Sequence, residues 1–418
     1  MIYYNYIVKI YQIIKIMDNN TENIDNINYN NDDNMELENT IDSPILVNNL
    51  QLDSLVKPLK INMKLNVCGL NYTLYNFDGT NKSVFENVET LIIDDTWDLD
   101  DIGFYSRNTN IFNPIFNYFV NIKKITIKNI SLLFLPDFSK FDNLEYLVLH
   151  NIDMEIQLFN FPEKLKLLEL SKCKIKELPL KLFNLHKLES LYLGNNKISN
   201  LPKEIANLQK LHSLDLSNNL IEELPDEFGQ LNISRLNLNN NNLHTIKPSF
   251  FDLTKITRLL MNNCRIYNLY DGFAKLVNLE ALDIGNNDNI LSFPNSLFQC
   301  IKLNNCNMEK CNITDHDITD EFYNLINLER IRLSNNYIKT ISHHITKLTK
   351  LIYFNISYNY IENLPLEIGF LSNLESLILK YNNLIEIPST LSALVKLKNL
   401  NLEGNELFTL PDIFNNLS

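Results

Sequence analysis

The side chains with the widest chemical reach fall close together: Cys300, Cys306, Cys311 and His316. Thiolates and imidazoles are zinc's preferred donors, but this spacing matches none of the paired patterns of zinc modules. Asp98-Leu99-Asp100-Asp101-Ile102-Gly103 opens like a calcium loop. Its fifth position is then Ile102 and its twelfth Thr109, where calcium needs oxygen donors and finally a bidentate Glu. His343-His344 and Asp315-His316-Asp317 read as solvated polar loops. No G-x-x-x-x-G-K, H-E-x-x-H or G-x-S-x-G occurs. No metal, no cofactor and no catalytic constellation is therefore expected. An enzyme would need titratable residues clustered away from the elements described next.

The remaining candidates act by recognition. Tyr192, Asp215, Arg235, Asn237, Arg258, Asp283, Arg330, Arg332, Tyr353, Tyr358 and Tyr381 recur at related places in a repeating pattern. Tyr and Arg are the residue types most enriched at interface hot spots, because each combines a large contact area with a polar tip. Eleven residues spread over so long a stretch meet only if the backbone brings each one back to the same face.

The repeat supplies that return. Leu188-x-x-Leu191-x-Leu193-x-x-Asn196-x-Ile198-x-x-Leu201-Pro202-x-x-Ile205-x-x-Leu208 is followed by Leu211-x-x-Leu214-x-Leu216-x-x-Asn219-x-Ile221-x-x-Leu224-Pro225-x-x-Phe228-x-x-Leu231. Leu191-x-Leu193 has period two, so both leucines leave one face of a short strand and Tyr192 leaves the other. One such strand cannot bury its apolar face without neighbours, so successive turns must stack in parallel. An asparagine buried at the strand exit can serve turn backbone groups that lack a ladder partner. Its position reads Cys173, Asn196, Asn219, Asn241, Cys264, Asn287, Cys311, Asn336, Asn359, Asn382 and Asn405. Leu-Pro ends the descending segment, since Pro fixes φ and lacks an N–H. The x-x-Ile-x-x-Leu that follows has helical or 3₁₀ spacing.

Further starts run from Val88, Ile122 and Leu144 to Leu397, with Thr96, Ile130 and Ile152 at the asparagine's place in the first three. Residues 88–418 are thus one array with degenerate first repeats and an insertion over 97–121. With only nine glycines in the chain, the turns must rely on asparagine, which tolerates left-handed backbone better than most residues.

The stretch from Leu144 to Leu417 resembles leucine-rich repeat proteins of the 23-residue, Leu-Pro-containing intracellular type, similar to Ras-binding and scaffold proteins. That resemblance implies an α/β fold. It is a right-handed solenoid, or horseshoe, with a parallel concave sheet and an irregular, 3₁₀ or short-helical convex side. It also implies protein binding as the usual task, and it accepts cysteine at the asparagine position. The Asn- and Ile-heavy usage resembles proteins of amoebae or of the giant viruses that infect them.

The flanking segments differ in character. Residues 1–42 read as a disordered leader, or a mis-started one with translation beginning at Met17, because Asp18 to Asp42 holds acids and asparagines but no Lys or Arg. Its apolar start is too short to span a bilayer and lacks a small-residue cleavage site. Residues 43–87 read as a cap on the first layer. The last repeat shows no cap sequence, so self-association through that end is expected. Six cysteines without a paired framework suit a reducing compartment, so an intracellular, cytoplasmic protein is expected. A net charge of −13 argues against a nucleic-acid partner, and no membrane partner is expected.

Two functions stay open: a non-enzymatic scaffold that binds a protein partner on its concave face, and a ubiquitin-ligase adaptor with an F-box-like segment at 43–87.

Overall fold

The computed structural model describes residues 90–94, 120–129, 135, 137–153 and 160–408. The leader, the cap at 43–87, nearly all of the 97–121 insertion and residues 409–418 lie outside them. Among the described residues two compact units are present, one formed by those up to 153 together with 160–167 and the other by 168–408. In the first, strands β1 (Thr90–Asp94), β2 (Lys124–Lys128) and β3 (Tyr146–His150) pair in parallel. Ile125, Ile127, Leu147 and Leu149 fill the interior, and Thr126 and Val148 between them are buried on the other face as well.

The second unit carries the array. Its strands are β4 (Leu167–Ser171), β5 (Ser190–Tyr192), β6 (Ser213–Asp215), β7 (Arg235–Asn237), β8 (Thr245–Ile246), β9 (Arg258–Leu260), β10 (Asn268–Leu269), β11 (Ala281–Asp283), β12 (Asn305–Asn307), β13 (Arg330–Arg332), β14 (Tyr353–Asn355), β15 (Ser376–Ile378) and β16 (Asn399–Asn401). All but β8 and β10 form one sheet in chain order; those two pair separately. The register runs without a slip from Leu191 to Leu214, Leu236, Leu259, Leu282, Cys306, Ile331, Phe354, Leu377 and Leu400. Every member of that row except the last is buried. A one-residue slip would turn the whole row to solvent, which is why the register is so firmly set.

On the opposite wall each turn closes with a short 3₁₀ segment, such as Lys203–Asn207, Asp226–Gln230 and Leu366–Phe370. Pro202, Pro225 and Pro365 precede these in extended conformation, fixing φ just before the tight turn. Phe228, Phe250, Phe251 and Phe273 interlock beneath them, with centroids 5.0–6.4 Å apart. Phe298 and Phe322 form a second aromatic contact at 5.7 Å. Strands sit about 4.8 Å apart while the return segments are bulkier, so the sheet takes the inner curve. The result is a right-handed solenoid with a concave parallel sheet.

Candidate functional site

Each strand of the main sheet presents two side chains outward, flanking its buried central residue. One row reads Tyr192, Asp215, Asn237, Leu260, Asp283, Asn307, Arg332, Asn355, Ile378, Asn401, each opposite the next in register. The neighbouring row places Arg235 beside Arg258 and Arg330 beside Tyr353. Arg332 lies over the Tyr353 ring at 5.3 Å, a cation–π contact. Arg235 and Arg330 are exposed, whereas Tyr192, Arg258, Arg332 and Tyr353 are half-buried.

The acidic and amide members of the row have a local task as well. Asp215 Oδ1 accepts from Ser217 N at 2.8 Å, Asn237 Oδ1 from Asn239 N at 3.1 Å and Asp283 Oδ1 from Gly285 N at 3.0 Å. Each thereby ends its own strand with an Asx-type turn. Asp283 Oδ1 also accepts from Asn262 Nδ2 and Asn307 Nδ2, both at 3.0 Å, which ties three successive turns together. Burial raises the Asp283 carboxyl above the usual carboxylate range, against the lowering effect of these hydrogen bonds. Asp215 is raised too, first by burial and further by nearby Glu169.

Tyr358 and Tyr381, counted with the strand face from sequence, lie outside the strands. They stand one residue before Asn359 and Asn382, at φ 52 in the turn that leaves the sheet. Most turns put asparagine there, including Asn195, Asn218, Asn240, Asn263, Asn286 and Asn335. The displacement follows from counting: the strands, and with them the side-chain alternation, end three residues earlier, at Asn355 and Ile378.

The buried position next to it joins consecutive turns. Asn219 Nδ2 donates to Leu193 O at 3.0 Å and Leu216 O at 2.9 Å, while its Oδ1 accepts from Ile198 N at 3.0 Å in the turn before. Asn241, Asn359, Asn382 and Asn405 receive one N–H each in the same way. Where cysteine stands instead, its thiol donates to a backbone carbonyl: Cys264 to Leu238 O at 3.0 Å, Cys311 to Ile284 O at 3.1 Å. Cys173 donates to Ser171 O at 3.3 Å. These cysteines are flanked on both sides by left-handed residues, Lys172 and Lys174, Asn263 and Arg265, Lys310 and Asn312. That tighter turn directs the cysteine's own N–H to the next asparagine. Asn196, Asn287 and Asn336 therefore each accept two N–H groups rather than one.

Burial pushes the Cys264, Cys300 and Cys311 thiols up to about 12 and raises Cys306 further, so none supplies a thiolate near neutral pH. Among the described residues no group of three or more His, Cys, Asp or Glu is arranged to hold a metal ion. Nor is any helix there long and apolar enough to cross a membrane.

Asp320 and His344 form an exposed pair at 2.7 Å on the return side, with Ser342 Oγ 3.2 Å from the same ring nitrogen. Because Ser342 and Asp320 share Nδ1, no relay from hydroxyl through imidazole to carboxylate forms. Successive turns line a polar groove of about 620 Å³, bounded by His244, Asn263, Arg265, Tyr267, Asp288 and Lys310.

Leucine rich repeat family models match residues 163–221, 209–266 and 396–417. No curated protein matches the chain. Among solved structures, an internalin (inlF) of Listeria monocytogenes is 22% identical, with 82% of this chain and 89% of that one covered and a TM-score of 0.62. A leucine-rich-repeat protein of Leptospira interrogans is 24% identical over 70% of this chain and 86% of its own, with a TM-score of 0.55. The plant peptide hormone receptor RGFR1, solved in complex with RGF2, is 24% identical; 70% of this chain covers 53% of that one, with a TM-score of 0.50. Repeat models, strand register and backbone similarity agree: the chain carries leucine-rich repeats and folds as a leucine-rich-repeat solenoid.

Proposed function

We propose that the chain is a non-enzymatic interaction scaffold whose concave sheet binds a protein partner. The observation that carries this reading is the run of register-aligned outward Arg and Tyr side chains, from Tyr192 through Arg235 and Arg258 to Arg330, Arg332 and Tyr353. Curved solenoid faces offer extended contact area at little ordering cost, because the strands are fixed before any partner arrives. RGFR1, which shares the fold, is solved with RGF2 bound. The Asp320–His344 pair lies on the return side, off this face.

Affinity capture with the wild type beside an Arg330→Ala/Arg332→Ala/Tyr353→Ala variant tests the proposal. Proteins held by the wild type and lost by a variant of unchanged melting temperature are expected. Equal retention by both would overturn it.

A further inference from the structure

The two kinds of cation are sorted between surfaces. Only six of the chain's 37 Lys and Arg residues are arginine. Of the five arginines among the described residues, four (Arg235, Arg258, Arg330 and Arg332) occupy outward positions on β7, β9 and β13. Strands β4 to β16 contain no lysine. Lysine works elsewhere, in exposed pairs such as Lys247–Glu223, Lys275–Asp252 and Lys398–Glu375. For mere solvation either cation would serve. Apart from Lys124 and Lys128 on β2 of the first unit, the strand cations are arginine, which offers what lysine lacks: a planar fork that grips a carboxylate with two parallel N–H bonds and stacks on rings.

The placement is specific. Register sets Arg235 and Arg258 side by side on neighbouring strands. Arg330 and Arg332 share β13, which lies three strand steps beyond β9, or about 14 Å. Between the two basic points stands the Asp283 carboxylate, held by Asn262, Asn307 and the Gly285 N–H. A polyanion of even charge would lie over that carboxylate and be repelled. A ligand with two separate acidic points would not. An extended peptide covers 14 Å in about four residues.

We propose that this face receives an extended protein segment carrying two acidic side chains about four residues apart. One carboxylate meets Arg235 and Arg258, the other Arg330 and Arg332. The inference rests on the reading of the concave sheet as the binding surface and adds the chemistry of what is bound.

Panning a random peptide display library on the full chain tests it. Selected peptides are expected to share Asp or Glu at two positions about four apart. Their affinity should fall at least about thirtyfold in Arg258→Gln or Arg330→Gln, the size of a hot-spot loss, and should fall in Arg258→Lys and Arg330→Lys as well. Unchanged far-ultraviolet circular dichroism and melting temperature would show that each variant folds. Peptides without the acidic pair, equal binding to the lysine variants, or a library that yields no binder would overturn the inference. Peptides that ignore the arginines but lose binding to Tyr192→Ala or Ile378→Asp would sink the acidic segment and leave the binding face standing. Peptides indifferent to both sets would sink both.

Discussion

Tyr358 and Tyr381 stack with ring centroids 4.8 Å apart and an angle of 26° between planes, although both hold φ at 52. A left-handed backbone costs a bulky L-residue about 1–2 kcal/mol, and an aromatic pair returns roughly 0.5–1.5 kcal/mol. The next turn supplies room for the stack: Gly404, at φ +70, leaves open the space that a Cβ there would contest with the Tyr381 ring. Lys380 sits 5.0 Å from the Tyr381 ring centroid and 2.9 Å from Glu403, which closes the side of the stack.

Gly404→Ala should therefore destabilise the last turns by about 1–3 kcal/mol, through both the left-handed backbone and the collision with Tyr381. Hydrogen exchange over residues 376–408 reads the effect locally. Gly404→Ala should cost less in a Tyr381→Ala background than in the wild type, since only the backbone cost of the substitution then remains. Full independence of the two changes would show that the rings are not packed against that glycine.

Asn219→Leu should cost about 1–3 kcal/mol in denaturant unfolding, because it strands the Ile198 N–H and takes the donor from two buried carbonyls. Asn218→Gly at the neighbouring solvent-facing position, which suits the left-handed backbone there (φ 53) and loses only the bond accepted from Asn240 at 2.8 Å, should cost far less. Equal losses at the two positions would contradict the assignment.

Asp283→Asn should stabilise the chain near neutral pH. Burial raises this carboxyl in the folded state above its ordinary 3.8, so the folded chain binds the proton more tightly than the unfolded one. Stability then falls as pH rises from that value through the folded one and is level above it. The amide keeps an oxygen for Asn262, Asn307 and Gly285 and has no such slope. Melting curves of the two proteins should converge as pH drops toward 3.8, and a gap that widens on acidification would reverse the sign.

Much of the fold was legible because a strand's alternation leaves few choices: Leu191-x-Leu193 and its counterparts admit one buried face and one stacking order. The face itself was read less completely. Asp215, Asn237 and Asp283 read as ligand-facing, yet each also caps its strand through the N–H two residues on, a bond that Asp or Asn at a strand's last outward position signals. Tyr358 and Tyr381 read as strand neighbours because tyrosine gives no hint of left-handed backbone; only the asparagines at the equivalent place in other turns do. The interlocked Phe228, Phe250, Phe251 and Phe273 escaped notice since each sits at an ordinary apolar position of its own repeat, and only stacking makes them neighbours.

The paired N–H groups of the cysteine turns set a rule of succession. Cys173, Cys264 and Cys311 are each followed one turn later by an asparagine whose carbonyl takes both. An asparagine turn that follows another asparagine turn, such as that of Asn219 or Asn382, can be copied or deleted by recombination and still meet a complementary neighbour. Two cysteine turns in tandem cannot, so lengthening this solenoid by gene duplication works only where the copied block carries its amide along.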